Sequence, residues 1–579
     1  RAMTPMTSAG RSTHGLTLML ALLASACGDG TGPDEGGSVV FLGLQVVPET
    51  GQLYVGQYGG IAAQPYDRDH HLVTGVPISW ASSDTNVVQV YSFSSGVSVL
   101  AKAPGSAIVV ASSGKAEASV AFTVTVIPVG SVQVTPDTSA AYVGLTATLS
   151  AVVIDTFGGT LTDRPVTWSS TNAGRASVDA NGAVTAHSAG DVTIIATREG
   201  KADSASLTVL ARPAADWSAV TEEWVTFQGG AAHTGYVPAT VDPVVFTKLW
   251  QTPSVQSGFG FNQAVVGGGR ILMSSNAYFG TQRLLALDAA TGAELWSHEF
   301  GTIHSVDPPG YADGTVYVAT GGHEESFLWA FDAATGSERF HTAYGNQWSR
   351  WEAPVISGGN VYMAGGYFGG MYSFDGTGVE RWFVELGQYE GFTPAVADGK
   401  VYAFTGAVSP EIIVIDAATG ARVDSITDPG LMAIGWAAGT TPVLGGAHNI
   451  LASHGGRLLS FDLQTRQLGW QVQGEYAGQV AVANAVVYAQ NGTDVEARRE
   501  SDGSLLWVWH RPDVSQLWPD MIVTRNMLFA SDGATTFALD LNAHRQGWSY
   551  PAGGELSLSK DGLLLIAGSE GVLTAIKVK

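Results

Sequence analysis

The side chains best suited to chemistry in this chain are carboxylates that recur at one register of a repeat. Asp307 and Glu352 stand two residues ahead of Pro309 and Pro354, at equivalent positions of adjacent repeat units. Two facing carboxyl groups are the equipment of glycoside hydrolysis, in which one protonates the leaving oxygen and the other attacks or activates water. Their closeness would raise one pKa, as a general acid requires. The same register and its flanks carry Asn262, Trp351, Glu390, Phe392, Trp436, Trp518 and Glu555. Aromatic rings stack on apolar ligand faces and carboxylates accept hydroxyl or amide donors, so these seven are the expected ligand-binding set around a funnel.

Other chemistries find little support. His323-Glu324-Glu325-Ser326-Phe327 starts like a zinc-protease helix motif but ends in Phe327 and reads as a hairpin. The repeats contain no Gly-x-Ser-x-Gly nucleophile elbow. One cysteine, Cys27, serves the whole chain, so neither a disulfide within the chain nor a Cys-x-x-Cys-His haem site is available. No metal and no cofactor are expected. Acids exceed bases by 51 to 28, a net charge of −23, which disfavours nucleic acid as a partner.

The elements that must position these residues repeat from Trp250 to Lys579. Leu284–Trp296 reads LLALDAATGAELW, and Leu328–Phe340, Met371–Trp382 and Ile412–Asp424 repeat it. The pattern then decays through Trp470, Trp507 and Trp548, with a half-unit at each end, TKLW and LTAIKVK. Asp288 to Asp332 is 44 residues and Asp462 to Arg499 is 37, the period of a four-stranded propeller blade. Seven junctions plus two halves predict eight blades in a ring closed by the split unit, which hides the sheet edges. Trp250, Trp296, Trp382, Trp470, Trp507 and Trp548 recur at the junction and are expected to pack between blades. The repeat aspartates precede tight turns and are expected to accept backbone N–H bonds there.

Ala-x-Asp-x-x-Thr-Gly-x-x-x-Trp resembles the repeat of the pyrroloquinoline-quinone-type propellers, a family that includes quinoprotein dehydrogenases and non-enzymatic outer-membrane assembly lipoproteins. The lead-in Trp224–Tyr236, WVTFQGGAAHTGY, resembles the segment before the first blade of that family. The resemblance implies the fold more than the activity. Its dehydrogenases typically carry a vicinal disulfide beside the cofactor, which this chain with Cys27 alone lacks.

Upstream, Pro48 and Trp80 return 88 residues later as Pro136 and Trp168, each within a run of short alternating strands. These two units resemble the bacterial group-2 Ig-like repeat, and the resemblance implies a stalk. Leu16–Ala26 is too short to span a bilayer and leads into Ala24-Ser25-Ala26-Cys27, similar to a lipobox.

The expected organisation is a lipoprotein signal at 1–27, a Gly-rich tether at 28–38, Ig-like domains at 39–128 and 129–212, and the eight-bladed propeller at 213–579. The fold class is all-β. The expected protein is exported across the inner membrane and lipidated at Cys27, an outer-membrane or cell-surface lipoprotein that touches the membrane through lipid only. Its propeller binds a glycan or an envelope protein, or serves as an assembly scaffold. An extracellular glycoside hydrolase built on Asp307 and Glu352 is the alternative, ahead of a quinoprotein dehydrogenase.

Overall fold

The computed structural model describes residues 41–93, 96–252, 260–322, 326–346, 348, 352–366, 370–387, 391–405, 410–430, 441–511, 517 and 520–579. Among them the chain is all-β, with one short 3-10 turn at Pro243–Val245. No helix among the described residues is long and apolar enough to cross a membrane. Two compact units are present, one ending at Pro128 and one running from Val129 to Lys579.

The first unit holds two four-stranded sheets whose alternating residues face each other. Strand Ala116–Thr125 shows the period-two burial of a half-exposed sheet, and Val109, Val120 and Phe122 fill the core between the layers. Residues 129–210 repeat this sandwich, with Ile194, Ala205 and Leu207 at its centre and Trp168 packed against them. The strand Thr138–Tyr142 pairs in parallel with Lys201–Leu210 and carries Tyr142 to one pole of the module.

Beyond Thr247 the strands form seven antiparallel sheets, six with four or five strands and one with seven. In the seven-stranded sheet the strand Gln467–Ala483 is the outer strand of one repeat and continues as the inner strand of the next. The two half-units meet as the sequence implied: Thr247–Gln251 pairs with Leu573–Lys577, so one sheet is built from both ends of the repeat region. Pairing the last strand with the first leaves no terminal edge to fray.

The repeat signature has a direct packing reason. Four of the six junction tryptophans donate the indole N–H to a carbonyl at the next turn: Trp250 to Ala289 at 3.1 Å, Trp296 to Ala333 at 3.0 Å, Trp382 to Ala417 at 3.1 Å and Trp470 to Glu500 at 2.8 Å. The ring lies on the turn glycine. A β-carbon added to Gly336 would lie 2.6 Å from the Trp296 ring, and one added to Gly420 would lie 2.7 Å from Trp382. Thr-Gly and Trp are thus one device, spread over two neighbouring units. The aspartates cap those turns, as Asp288 does with the Thr291 N–H at 2.9 Å and its hydroxyl at 2.7 Å. Arg339 beside Asp332 and Lys400 beside Asp416, followed by the turn bonds, hold these two carboxyl groups down at about 2.

The module expected to serve as a spacer is built into the propeller. Tyr142 is 1% exposed, buried with Met527, Phe529, Ala538 and Ile576 of the repeat region. Its hydroxyl bonds to Asp540 and lies 3.2 Å from Met527 Sδ. Arg212, at the exit of the module, donates its Nε–H to Asp242 at 3.1 Å.

Candidate functional site

The lead-in segment forms the centre of the site. Its carbonyls and side chains bond the innermost strand of one repeat after another. Trp224 accepts from Val266 and Val225 from Tyr311, and the Thr226 hydroxyl donates to Pro354. Ala231 then accepts from Val396, Ala232 from Leu444, Thr234 from Val482 and Gly235 from Val523. A single irregular segment therefore visits successive repeats in chain order. Gly235 has φ 62°, and a β-carbon there would fall 2.7 Å from the Met521 carbonyl oxygen, so only glycine fits this approach. His233 is fully buried, with Nδ1 2.7 Å from the Phe227 carbonyl and Nε2 2.9 Å from that of Pro394. Burial holds its pKa below the usual imidazole value, against two carbonyls that favour the charged ring.

The sequence-derived register lies beside this segment. Asn262, Asp307, Glu352 and Phe392 are all buried, at 1%, 1%, 8% and 1% exposure. Asn262, Asp307 and Glu352 belong to a belt of hydrogen bonds linking adjacent repeats, while Phe392 packs in an apolar cluster. Asn262 Nδ2 donates to the Val306 carbonyl at 2.9 Å, and the Ser274 hydroxyl to that of Asp307 at 2.8 Å. The Glu352 N–H approaches Asp307 Oδ1 at 3.4 Å, the Ala353 N–H donates to Thr393 Oγ1 at 3.1 Å, and Gln479 Nε2 to the Thr441 carbonyl at 3.1 Å.

Sequence reasoning missed a second carboxylate pair. Asp520 occupies the register where four of the eight repeats have proline, and its charge acts on Glu555. Gln263 Nε2 donates to Asp520 Oδ2 at 3.0 Å and to the Leu556 carbonyl at 3.1 Å, while Ser557 Oγ donates to the Ala264 carbonyl at 2.6 Å. The missing signal was the replacement of proline by an acid in an otherwise apolar strand start. Burial raises Asp520 to about 6 against the pull of Gln228 and Gln263, and burial plus Asp520 drives Glu555 well above the carboxylate range. Burial, then the charge of Asp307, does the same to Glu352. The fold thus gathers Asn262, Asp307, Glu352, Asp520 and Glu555 onto neighbouring repeats. Trp351, Glu390, Trp436, Trp518 and Cys27 lie outside the described residues.

The profile of the outer membrane protein assembly factor BamB family matches residues 234–365 and 330–550, more than half of the chain. This chain belongs to that family, and its fold is a β-propeller preceded by a bacterial Ig-like domain of group 2, matched at residues 128–209. A curated relative, the serine/threonine-protein kinase AfsK of Streptomyces griseus, is 32% identical over 174 residues, covering 28% of this chain and 20% of the kinase. The chain therefore spans about a fifth of that relative's length.

Among solved structures, BamB from Moraxella catarrhalis matches 57% of this chain and 100% of its own at 17% identity and a TM-score of 0.47. The computationally designed Ika8 protein matches 57% of this chain and 98% of its own at 16% identity and 0.46. Quinohemoprotein alcohol dehydrogenase ADHIIG from Pseudomonas putida HK5 matches 62% of this chain and 80% of its own at 12% identity and 0.46.

Proposed function

We propose that this protein is a scaffold of the cell envelope, an eight-bladed propeller that engages envelope proteins in an assembly role and is anchored by lipid on Cys27. The membership in the assembly-factor family supports this reading. The observation that carries it is the fate of the channel carboxylates. Asp307, Glu352 and Asp520 are buried, with Asp307 facing the Glu352 N–H and Asp520 accepting from Gln263 of another repeat, which leaves the rims and outer strands as the surfaces available to a partner. The test is in-cell cross-linking of the full chain followed by isolation of its adducts. Reproducible adducts with envelope proteins are expected, and a cross-linking pattern no different from an unrelated exported protein would sink the reading. Cys27→Ala is expected to move the protein from the membrane to the soluble fraction, since lipid would supply its membrane affinity. Unchanged partitioning would remove the anchor from the proposal.

A second reading, a glycoside hydrolase, draws on the adjacency of Asp307 and Glu352 and on the elevated pKa of Glu352, the condition of a general acid. A chromogenic-glycoside and glycan-binding screen decides it. Turnover abolished by both Asp307→Asn and Glu352→Gln would establish hydrolysis, and its absence across the screen would leave the scaffold alone.

A further inference from the structure

The way Tyr142 docks on the repeat region reveals a second socket of the same design. At every blade junction the outer strand has a bulge just before its aromatic or equivalent residue, where one residue drops out of the pairing register. The bulged residue is Leu249, Leu295, Arg339, Arg381, Val423 or Leu506 in six junctions and glycine in two, Gly469 and Gly547. A long side chain at this position can reach over the turn aspartate. Arg339 does so, donating Nη2 to Asp332 Oδ2 at 2.7 Å.

Where the bulge is Gly547, the vacated space holds Tyr142. A β-carbon on Gly547 would sit 2.6 Å from the Tyr142 ring, and the tyrosine hydroxyl bonds to Asp540 Oδ2. The Gly469 junction reproduces this architecture. Asp540-Leu-Asn-Ala-His-Arg-Gln-Gly547-Trp548 and Asp462-Leu-Gln-Thr-Arg-Gln-Leu-Gly469-Trp470 have the same length. Each turn has a positive φ at its fifth residue, 55° at His544 and 60° at Arg466. In each, the first carboxylate oxygen takes two backbone N–H groups: Asn542 and Ala543 bond to Asp540, Gln464 and Thr465 to Asp462.

The two differ in occupancy. Gly547 is buried, whereas Gly469 is exposed, and a β-carbon there would meet nothing nearer than its own blade, Ser460 O at 3.4 Å. The phenol that bonds to Asp540 Oδ2 has no counterpart on Asp462 among the described residues.

We propose that the Gly469–Asp462 socket is a docking site for a tyrosine presented on an Ig-like turn of a partner protein, its ring seated on Gly469 and its hydroxyl donated to Asp462. The occupant follows from the filled socket, where Tyr142-Val143-Gly144 ends a strand of an Ig-like module. The proposal rests on the scaffold reading and gives it a contact surface.

The full chain is titrated with N-acetyl-3-fluoro-L-tyrosinamide and followed by fluorine NMR line broadening, with the fluorophenylalanine amide as control. Broadening is expected for the tyrosine probe, at least fivefold weaker for the control, and lost to a similar degree in Gly469→Leu and in Asp462→Asn. Leucine occupies this position at Leu295 and Leu506, so Gly469→Leu is compatible with the fold. Equal broadening by both probes, or full binding in Gly469→Leu, overturns the socket. Sedimentation showing a dimer that Gly469→Leu dissolves would assign the occupant to a second copy and overturn the partner. If envelope cross-links persist in Gly469→Leu, the socket falls and the scaffold reading stands.

Discussion

The hydroxyl of Tyr142, in the Ig-like module, is bonded to Asp540, in a turn of the propeller nearly four hundred residues later in the chain, and both side chains are buried. Burial and the neighbouring carboxylate raise the phenol pKa, so the phenol stays protonated and donates. Tyr142→Phe leaves a buried carboxylate oxygen without its donor, and a loss of about 1–3 kcal/mol is expected in urea unfolding. Tyr142→Ala also empties the ring's space and is expected to cost about 3–5 kcal/mol and to open the segment near Arg212 to proteolysis. Stability of Tyr142→Phe within the error of the native protein would mean that the module is only tethered.

The buried carboxylates give stability a pH dependence of unusual sign. Asp520 moves from 3.8 to about 6 and Glu555 is raised too, so across the range up to about 6 the folded state binds more protons than the unfolded one. This contribution is complete below the ordinary carboxylate range and is lost as pH rises through about 6. The turn aspartates behave oppositely: Asp332 and Asp416, at about 2, lose their contribution as pH falls below 3.8. Asp520→Asn is expected to flatten the stability profile between about pH 4 and 6 and leave the acid limb unchanged. Parallel urea titrations across that range check it, and an unflattened curve would contradict the burial.

At the blade junctions, the glycine should matter more than the indole N–H. Trp382→Phe removes one donor to the Ala417 carbonyl, which Arg381 Nη1 also bonds at 3.1 Å, so a loss of about 1 kcal/mol is expected. Gly420→Ala places a β-carbon against the Trp382 ring at φ 75°, and about 1–3 kcal/mol is expected. Thermal unfolding of both variants ranks them, and the reverse order would refute the coupling of Thr-Gly to Trp.

The lead-in segment is expected to fail at its tightest point. Gly235→Ala drives a methyl into the Met521 carbonyl, and backbone cannot yield as a flexible side chain does. Hydrogen exchange at the Val482 and Val523 amides, which bond to Thr234 and Gly235, is expected to accelerate at least tenfold. Unchanged protection at both amides would show that the segment does not hold the inner strands.

The all-β class, the Ig-like and propeller repeats, the pairing of the split unit and the junction Trp with its turn Asp were legible because each rests on local chemistry: a two-residue strand period, a turn that needs glycine, a carboxylate that caps it. Each recurs at fixed spacing, so a single chain displays it several times. The register holding Asn262, Asp307, Glu352 and Phe392 was legible too, but its burial was not. Whether a strand-end acid meets water or a neighbouring blade depends on the path of Trp224–Tyr236 across successive inner strands, and the bonds that fix that path join residues far apart in the chain. Asp520 escaped notice because it broke a pattern instead of repeating one. Tyr142 reads in sequence as an ordinary strand residue. Only the tertiary structure decided that it crosses to Asp540, because what selects it is a missing side chain at Gly547, and the shape of an absence is defined by what packs around it.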